Sequence, residues 1–130
     1  MFIQNIKTRF YETDALGHIN NAVPLQWFEA CREPIFKIFT PDLDPKKWKL
    51  ILAHNSIDYL AQVHYGQDIK VHTFFEKIGN SSMTITHHAY QAESLVLVGK
   101  VVMIHFDYEK NSSVPIPYEI RSELEKHLGK

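Results

Sequence analysis

One short polar stretch, from Asp14 to Asn21, contains several groups that could do chemistry. They are the carboxylate of Asp14, the imidazole of His18 and the carboxamides of Asn20 and Asn21, and Gly17 lies among them. A carboxylate can act as a nucleophile or general base, and an imidazole titrates near neutrality and can carry a proton. An apolar segment with helical spacing follows, and the free amides at a helix N-terminus attract developing negative charge. These residue types in this order suit acyl chemistry, in which an oxyanion forms at the attacked carbonyl.

The segment that follows the stretch predicts a helix from about 22 to 39. Its apolar residues recur at three- and four-residue steps, as expected for one buried face: Leu25, Phe28, Cys31, Ile35, Ile38 and Phe39. Pro34 removes a backbone donor inside this helix, so we expect a kink or a restart there. Asp44 and Pro45 then predict a capped short turn.

The rest of the chain predicts long antiparallel strands. Residues 2–11 are β-leaning, and residues 51–64, 69–78, 83–91 and 94–107 are rich in β-branched and aromatic residues between turn-formers. The segment 94–106 is apolar on both faces, so it must be central in the sheet or lie against a second subunit. A final amphipathic helix is expected at about 117–128. One long helix against a strongly curved antiparallel sheet is an α+β fold.

Composition limits the classes of function. The 130 residues are 45% hydrophobic and 22% charged, which fits one domain over 1–130. A net charge of −1 gives no general attraction for nucleic acid, so we expect no nucleic-acid partner. The lone Cys31, the lack of a signal-like start and the lack of a membrane span indicate the cytoplasm. The histidines lack ligand spacing, since His87 and His88 point to opposite faces of a strand, so we expect no metal.

The order and spacing of the motifs resemble the hotdog-fold thioesterases, closest to the 4-hydroxybenzoyl-CoA thioesterase-like and acyl-ACP thioesterase-like branches. The resemblance runs from about residue 3 to about 118 and is carried by segments 14–21, 27–32, 57–60, 65–68 and 79–83. It implies a hotdog fold and a substrate that is an acyl-CoA or acyl carrier protein thioester. It implies no cofactor, because coenzyme A enters as part of the substrate, and a homodimer or homotetramer with the site at the subunit interface.

The resemblance also implies catalytic roles. Asp14 aligns with the family's nucleophile or general base, His18 would orient Asp14 or water or carry a proton, and the backbone amide of Asn21 would polarise the thioester carbonyl. Gly17 would let the backbone turn tightly beside the substrate. Each has a structural alternative, since Asp14 and Gly17 suit a turn and His18 a surface loop.

The substrate-binding residues implied by the resemblance are Asn20, Tyr59, Lys77, Ser81 and Ser82. The last three flank a turn that the family often uses near the nucleotide, although a solvated lysine and ordinary turn serines are the simpler interpretation. Asn20 has a second interpretation as a helix cap. Glu29 is a further candidate, because one branch of the family places its catalytic carboxylate on the helix. Here we expect Glu29 to be a solvated or structural acid. Cys31 repeats with the buried helix stripe and is read as a core residue.

Two other functions remain open. A hotdog hydratase or dehydratase also uses an aspartate and a histidine, but usually as Asp-x-Asn-Pro-x-His, whereas this chain has Asp14-x-x-x-His18. A non-catalytic acyl-CoA-binding module would hold the same ligand without turnover. Retention of Asp14 favours the enzyme.

Overall fold

The computed structural model describes residues 1–14 and 17–129. The strands are β1 (Phe2–Ile6), β2 (Leu50–Tyr59), β3 (Ile69–Ile78), β4 (Ser82–Gln91), β5 (Ser94–Asp107) and β6 (Ser112–Ser113). The helices are α1 (Val23–Cys31), α2 (Glu33–Phe39) and α3 (Tyr118–Glu125), with short 3-10 turns at Phe10–Glu12 and Pro45–Lys47. The Asp44 side chain caps the second turn by accepting a hydrogen bond from the Lys46 amide at 2.9 Å. The α+β class expected from the sequence is confirmed.

The sheet is antiparallel with the order β1-β3-β4-β5-β2, and β6 pairs with the end of β5. β5 therefore lies inside the sheet, between β4 and β2, which is one of the two positions expected from its sequence. Alternate residues from Leu97 to His105 are buried under the helices, and the residues between them are half-buried or exposed. β2 is an edge strand, with a bulge between Leu52 and His54. The edge of β2 and the start of α1 frame the candidate site.

Helices α1 and α2 pack on one face of the sheet and bury the core. Trp27, Phe28 and Cys31 join one hydrophobic cluster, and Ile35 and Phe39 join a second. Gly99 lies directly beneath Phe28, since a Cβ built there would come within 2.6 Å of the Phe28 ring. The missing side chain of Gly99 thus sets how closely α1 approaches β5.

The predicted restart at Pro34 is confirmed. α1 ends at Cys31 and α2 begins at Glu33, with Arg32 between them. Pro34 is accommodated in the first turn of α2, where an N–H would have no helical partner. The Ile35 amide returns to the Arg32 carbonyl at 2.9 Å, so the new helix begins immediately.

Two strands are shorter than predicted, and so is the last helix. β1 ends at Ile6, because the chain turns into the 3-10 turn at Phe10–Glu12. β2 ends at Tyr59, because the chain leaves the sheet and the Val63 carbonyl accepts the Ile19 amide at 2.8 Å.

Among the described residues, no helix has both the length and the apolar character required to cross a bilayer.

Candidate functional site

Asp14, Gly17 and His18 lie in one tight turn before α1. The Asp14 amide donates to the His18 carbonyl at 2.9 Å, and the Gly17 amide donates to the Asp14 carbonyl at 3.2 Å. Gly17 has a φ of +77°, a conformation that favours glycine. Ala15 and Leu16, which belong to the same motif, lie outside the described residues. The turn leaves Asp14 exposed to solvent.

The turn is fixed to its surroundings at both ends. The Asn20 amide donates to the Glu12 carbonyl at 2.9 Å, and the Tyr65 amide donates to the Gly17 carbonyl at 3.3 Å. The His18 ring packs edge-on against His64, with 5.1 Å between ring centroids. The polar stretch is therefore held in a defined position relative to the segment that follows β2.

Glu12 ties this turn to α1, and sequence reasoning missed it. Its side chain is only 8% exposed, and its carboxylate accepts the Trp27 indole N–H at 2.9 Å and the Arg9 amide at 2.7 Å. A buried carboxylate needs such donors, because an unpaired one is strongly disfavoured. No motif in the sequence identifies Glu12, because its partner Trp27 lies 15 residues away and the two side chains meet only when α1 packs.

The amides at the start of α1 leave one donor available. The Ile19, Asn20, Ala22 and Val23 amides donate to the Val63 carbonyl, the Glu12 carbonyl, the Asn20 side chain and the Asn20 carbonyl, respectively. Pro24 has no N–H. Of the amides from Ile19 to Val23, only that of Asn21 makes no hydrogen bond within the described chain. The Asn20 side chain accepts the Ala22 amide at 2.9 Å and so closes a turn just before α1, whereas the N-cap residue of α1 is Ala22 and has no side-chain cap.

Asn21 opens onto a pocket of about 400 Å³, which we call the start pocket because it lies at the start of α1. Asn21, Pro24, Tyr59, Val63 and Leu97 are among the residues that line it. The Tyr59 hydroxyl donates to the Asn21 carbonyl at 2.5 Å. The fold thus joins Tyr59 and Asn21, which are far apart in sequence, beside the turn that holds Asp14.

Lys77, Ser81 and Ser82 lie at the opposite end of the sheet. Ser82 is opposite Ile104 of β5, whereas Tyr59 is opposite Leu97 of the same strand. That separation is about 23 Å along β5 at the usual rise of a strand. The Ser81 carbonyl accepts the His105 amide at 2.7 Å. Within one chain, these three residues do not join the start pocket.

We call the helix-facing side of β2 beside α1 the helix–strand groove. Leu52, Asn55, Ile57 and Tyr59 face the helix layer, because their partners on β5 are the buried Met103, Val101, Gly99 and Leu97. Leu52 is nevertheless 48% exposed and Tyr59 is 49% exposed. α1 therefore leaves this side of β2 uncovered.

A second pocket, the end pocket, lies where α1 ends and has a volume of about 420 Å³. Its lining includes Glu29, Arg32, Leu50, Leu52 and Met103. Glu29 is exposed and lies at this end of the groove rather than beside Asp14. α1 runs antiparallel to β2, so the start and end pockets mark the two ends of the helix–strand groove.

Arg32 and His87 form a buried polar pair that sequence reasoning also missed. Arg32 Nη1 donates to His87 Nε2 at 3.2 Å, so the neutral ring carries its proton on Nδ1 and donates it to the Thr73 hydroxyl at 2.8 Å. The His87 ring stacks on Phe28, with 4.8 Å between centroids. Burial, and then the Arg32 cation, lower the pKa of His87 to about 3.

Cys31 is a core residue, as predicted. It is fully buried beneath α1, and burial raises the pKa of its thiol to about 11. A thiol of this kind stays protonated at neutral pH and is a poor nucleophile.

Among the residues that the structure describes, no three His, Cys, Asp or Glu side chains are grouped so that they could hold a metal ion.

Comparison with known proteins identifies similar chains over almost the whole length. The model of the thioesterase-like superfamily matches residues 8–124. A predicted thioesterase from Bacillus stearothermophilus has a solved structure with 41% identity and a TM-score of 0.96, covering 99% of this chain and 97% of that one.

Two further relatives are more distant. A thioesterase from Thermus thermophilus, solved with coenzyme A and Zn, has 26% identity and a TM-score of 0.83, with 94% of this chain and 95% of that chain covered. YneP of Bacillus subtilis (strain 168), whose name proposes an acyl-CoA thioesterase, is 26% identical over 118 residues, which cover 88% of this chain and 85% of YneP.

Proposed function

The chain belongs to the thioesterase-like superfamily and has the hotdog fold, and from this premise we propose that it hydrolyses acyl-CoA thioesters. The observation that carries the proposal is that Asn21, whose amide makes no hydrogen bond within the described chain, lines the start pocket and follows the turn of Asp14. A donor at a helix N-terminus is suited to a developing oxyanion, since the helix dipole adds to its hydrogen bond.

The proposed reaction uses Asp14 as general base or nucleophile. As a base, Asp14 takes a proton from water, and the water oxygen attacks the carbonyl carbon of the thioester. The Asn21 amide donates to the oxyanion that forms. When the intermediate collapses, the carbon–sulfur bond breaks, the thiolate takes up a proton and the carboxylic acid remains. His18 assists by orienting Asp14 or water or by carrying that proton.

The start pocket also supports roles for the neighbouring side chains. Gly17 keeps the turn tight, and Asn20 holds the start of α1 through the Ala22 amide. Tyr59 fixes the Asn21 carbonyl and forms one wall of the pocket. From here we propose that the acyl chain enters the helix–strand groove, whose helix-facing strand residues include Leu52 and Ile57.

Coenzyme A is the proposed carrier of the acyl group, and it acts only as a part of the substrate and product. The coenzyme A bound to the Thermus thermophilus relative and the name of YneP support this choice over acyl carrier protein. Acyl carrier protein thioesters remain the second carrier to test.

We propose further that the active form is a homodimer in which β2 pairs with its copy. β2 is a ten-residue edge strand with uncovered helix-facing residues. An antiparallel two-fold pairing would bring the Leu50 end of one β2 against the Tyr59 end of the other. That pairing brings Lys77, Ser81 and Ser82 of one copy toward the start pocket of the other, where they would contact the nucleotide of coenzyme A. A homotetramer would stack two such dimers.

The test is release of free thiol from short, medium, long and aromatic acyl-CoA esters and from an acyl carrier protein ester. We expect release well above background from at least one acyl-CoA ester. If every ester stays intact while calorimetry shows tight binding, the chain is an acyl-CoA-binding module instead. Loss of absorbance from a 2-enoyl-CoA without thiol release would identify a hydratase. Either result would overturn the proposed function.

A further inference from the structure

The Arg32 side chain has far fewer hydrogen bonds than its charge requires. It is only 4% exposed, and its guanidinium carries five N–H donors. Within the described residues, its one acceptor is His87 Nε2, and its Nε is fully buried without any hydrogen bond. Burying a guanidinium with so few partners is strongly unfavourable, so an acceptor from outside the chain would relieve a real cost.

Arg32 lines the end pocket, where such an acceptor can enter. Glu29 lies one helical turn earlier on the same helix and lines the same pocket. No ion pair joins these two side chains among the described residues, although the Glu29 carboxylate is close enough to oppose the lowering of the pKa of Arg32 by burial. The pocket therefore presents a donor and an acceptor together.

The remaining walls of the end pocket are mostly apolar and include Phe36, Trp48, Leu50, Leu52 and Met103. The pocket therefore suits a ligand that is mainly hydrocarbon and carries one polar group. The charges restrict that group further. A carboxylate would be attracted by Arg32 but repelled by Glu29, and a methyl group would leave both unpaired. A hydroxyl accepts from Arg32 and donates to Glu29 at the same time.

The position of the end pocket determines where on the acyl group this hydroxyl must lie. Arg32 is about 12 Å beyond Pro24 along the helix axis, at the usual rise per residue. An aromatic acyl group held at the start pocket ends well short of this distance, whereas an extended aliphatic chain in the helix–strand groove spans it. The hydroxyl must therefore be at or near the far end of a medium or long chain.

We infer that the end pocket is a specificity site for ω-hydroxyacyl chains, in which Arg32 donates to the terminal hydroxyl and Glu29 accepts from it. This inference rests on the proposed function, because the acyl-CoA hydrolysis at the start pocket sets which end of the chain reaches Arg32. It names a substrate class, the thioesters of ω-hydroxy fatty acids.

The experiment compares kcat/KM for octanoyl-, dodecanoyl- and hexadecanoyl-CoA with that for their ω-hydroxy derivatives. At one chain length we expect the hydroxylated ester to be preferred at least about tenfold, as for a site that pairs a substrate hydroxyl. Glu29→Ala removes the acceptor and Arg32→Met removes the donors, so each should reduce this ratio toward one. Glu33→Ala removes an exposed carboxylate that pairs with Lys37 outside the end pocket, and its ratio should equal that of the wild type.

The outcomes separate the inference from the proposed function. Hydrolysis of the plain esters with no preference for a hydroxyl at any length would overturn the inference and leave the proposed function standing. A preference that survives Glu29→Ala would also overturn it, and this exposed substitution is informative even if Arg32→Met does not fold. If no ester releases thiol, the proposed function fails, and calorimetry with the free acids decides the inference: the ω-hydroxy acid must bind more tightly than its parent.

Discussion

At the scale of single residues, the candidate site depends on a few hydrogen bonds that only the folded chain creates. The Asn21 amide is available because its neighbours donate elsewhere, and the Asn20 side chain takes the Ala22 amide. Tyr59 holds the Asn21 carbonyl from the other side. Each of these contacts positions a donor at the start of α1, so small changes here affect both stability and the proposed chemistry.

Asn20→Ala should destabilise the protein by about 1 kcal/mol, because it removes the side-chain acceptor of the Ala22 amide in the turn just before α1. Equilibrium unfolding in urea measures the change. Asn20→Asp keeps an acceptor at the same place and serves as the matched control, with stability close to that of the wild type. Equal stability of Asn20→Ala and the wild type would show that this hydrogen bond contributes nothing.

His87 should make stability depend on pH. Because burial and the Arg32 cation lower the pKa of His87 from 6.5 to about 3, the unfolded chain binds a proton between these pH values that the folded chain does not. The contribution of His87 is therefore complete above pH 6.5 and is lost as the pH falls toward 3, by up to about 1.4 kcal/mol per pH unit.

His87→Gln removes this titration and keeps a polar side chain between Arg32 and Thr73. The free energy of unfolding of the wild type minus that of the variant should therefore decrease steadily as the pH falls below 6.5. Urea unfolding at stepped pH values follows the difference. A difference that is constant from pH 7 to pH 4 would contradict the buried, neutral state of the ring.

At the scale of elements, the contact between α1 and β5 sets the position of the proposed site. Gly99→Ala should destabilise the protein by about 1–3 kcal/mol, since the added methyl would lie within 2.6 Å of the Phe28 ring and push α1 from the sheet. Thermal and urea unfolding measure the loss.

Phe28→Leu in the Gly99→Ala background is the control for this steric cause. The smaller side chain gives the methyl room, so the double variant should lose less than the sum of the two single changes. Strict additivity would mean that Gly99 does not act through Phe28.

The elements were largely predictable from the sequence, and the pairs that build the site were not. Turn-formers and β-branched runs located β3 to β5 closely, and Pro34 located the helix break. The excess length predicted for β2 has a physical reason. The Leu60 and Ala61 amides both donate to the Val96 carbonyl and end the ladder, and residues 63–65 pair with the Asp14 turn rather than with the sheet. The contacts of Arg32 with His87 and of Tyr59 with Asn21 join distant residues, and local spacing carries no information about them.

At the scale of the whole molecule, the uncovered edge of β2 bears on the assembly. Two-fold pairing would place the middle of β2 against its own copy, so two added charges there would face like charges. His54→Glu with Ser56→Glu should convert a dimer to a monomer, as measured by light scattering during size-exclusion chromatography. Thiol release should fall as well, because Lys77, Ser81 and Ser82 of the second copy would be lost from the site.

Ser113→Glu on β6 is the matched control, since it adds a charge to an exposed strand away from β2. It should leave both the mass and the activity unchanged. A wild-type chain that is monomeric and fully active at assay concentrations would contradict the proposed assembly.

The cytoplasmic location inferred from the lone cysteine stays a prediction.

The most direct test of the central claim is the steady-state rate of thiol release by Asp14→Asn on the best acyl-CoA ester. Loss of the carboxylate should lower kcat at least about 100-fold with little change in KM, because the substrate still binds while the base or nucleophile is gone. Asp42→Asn, which alters an exposed carboxylate paired with Lys47, should behave as the wild type. A folded Asp14→Asn variant with the kcat of the wild type would contradict the account.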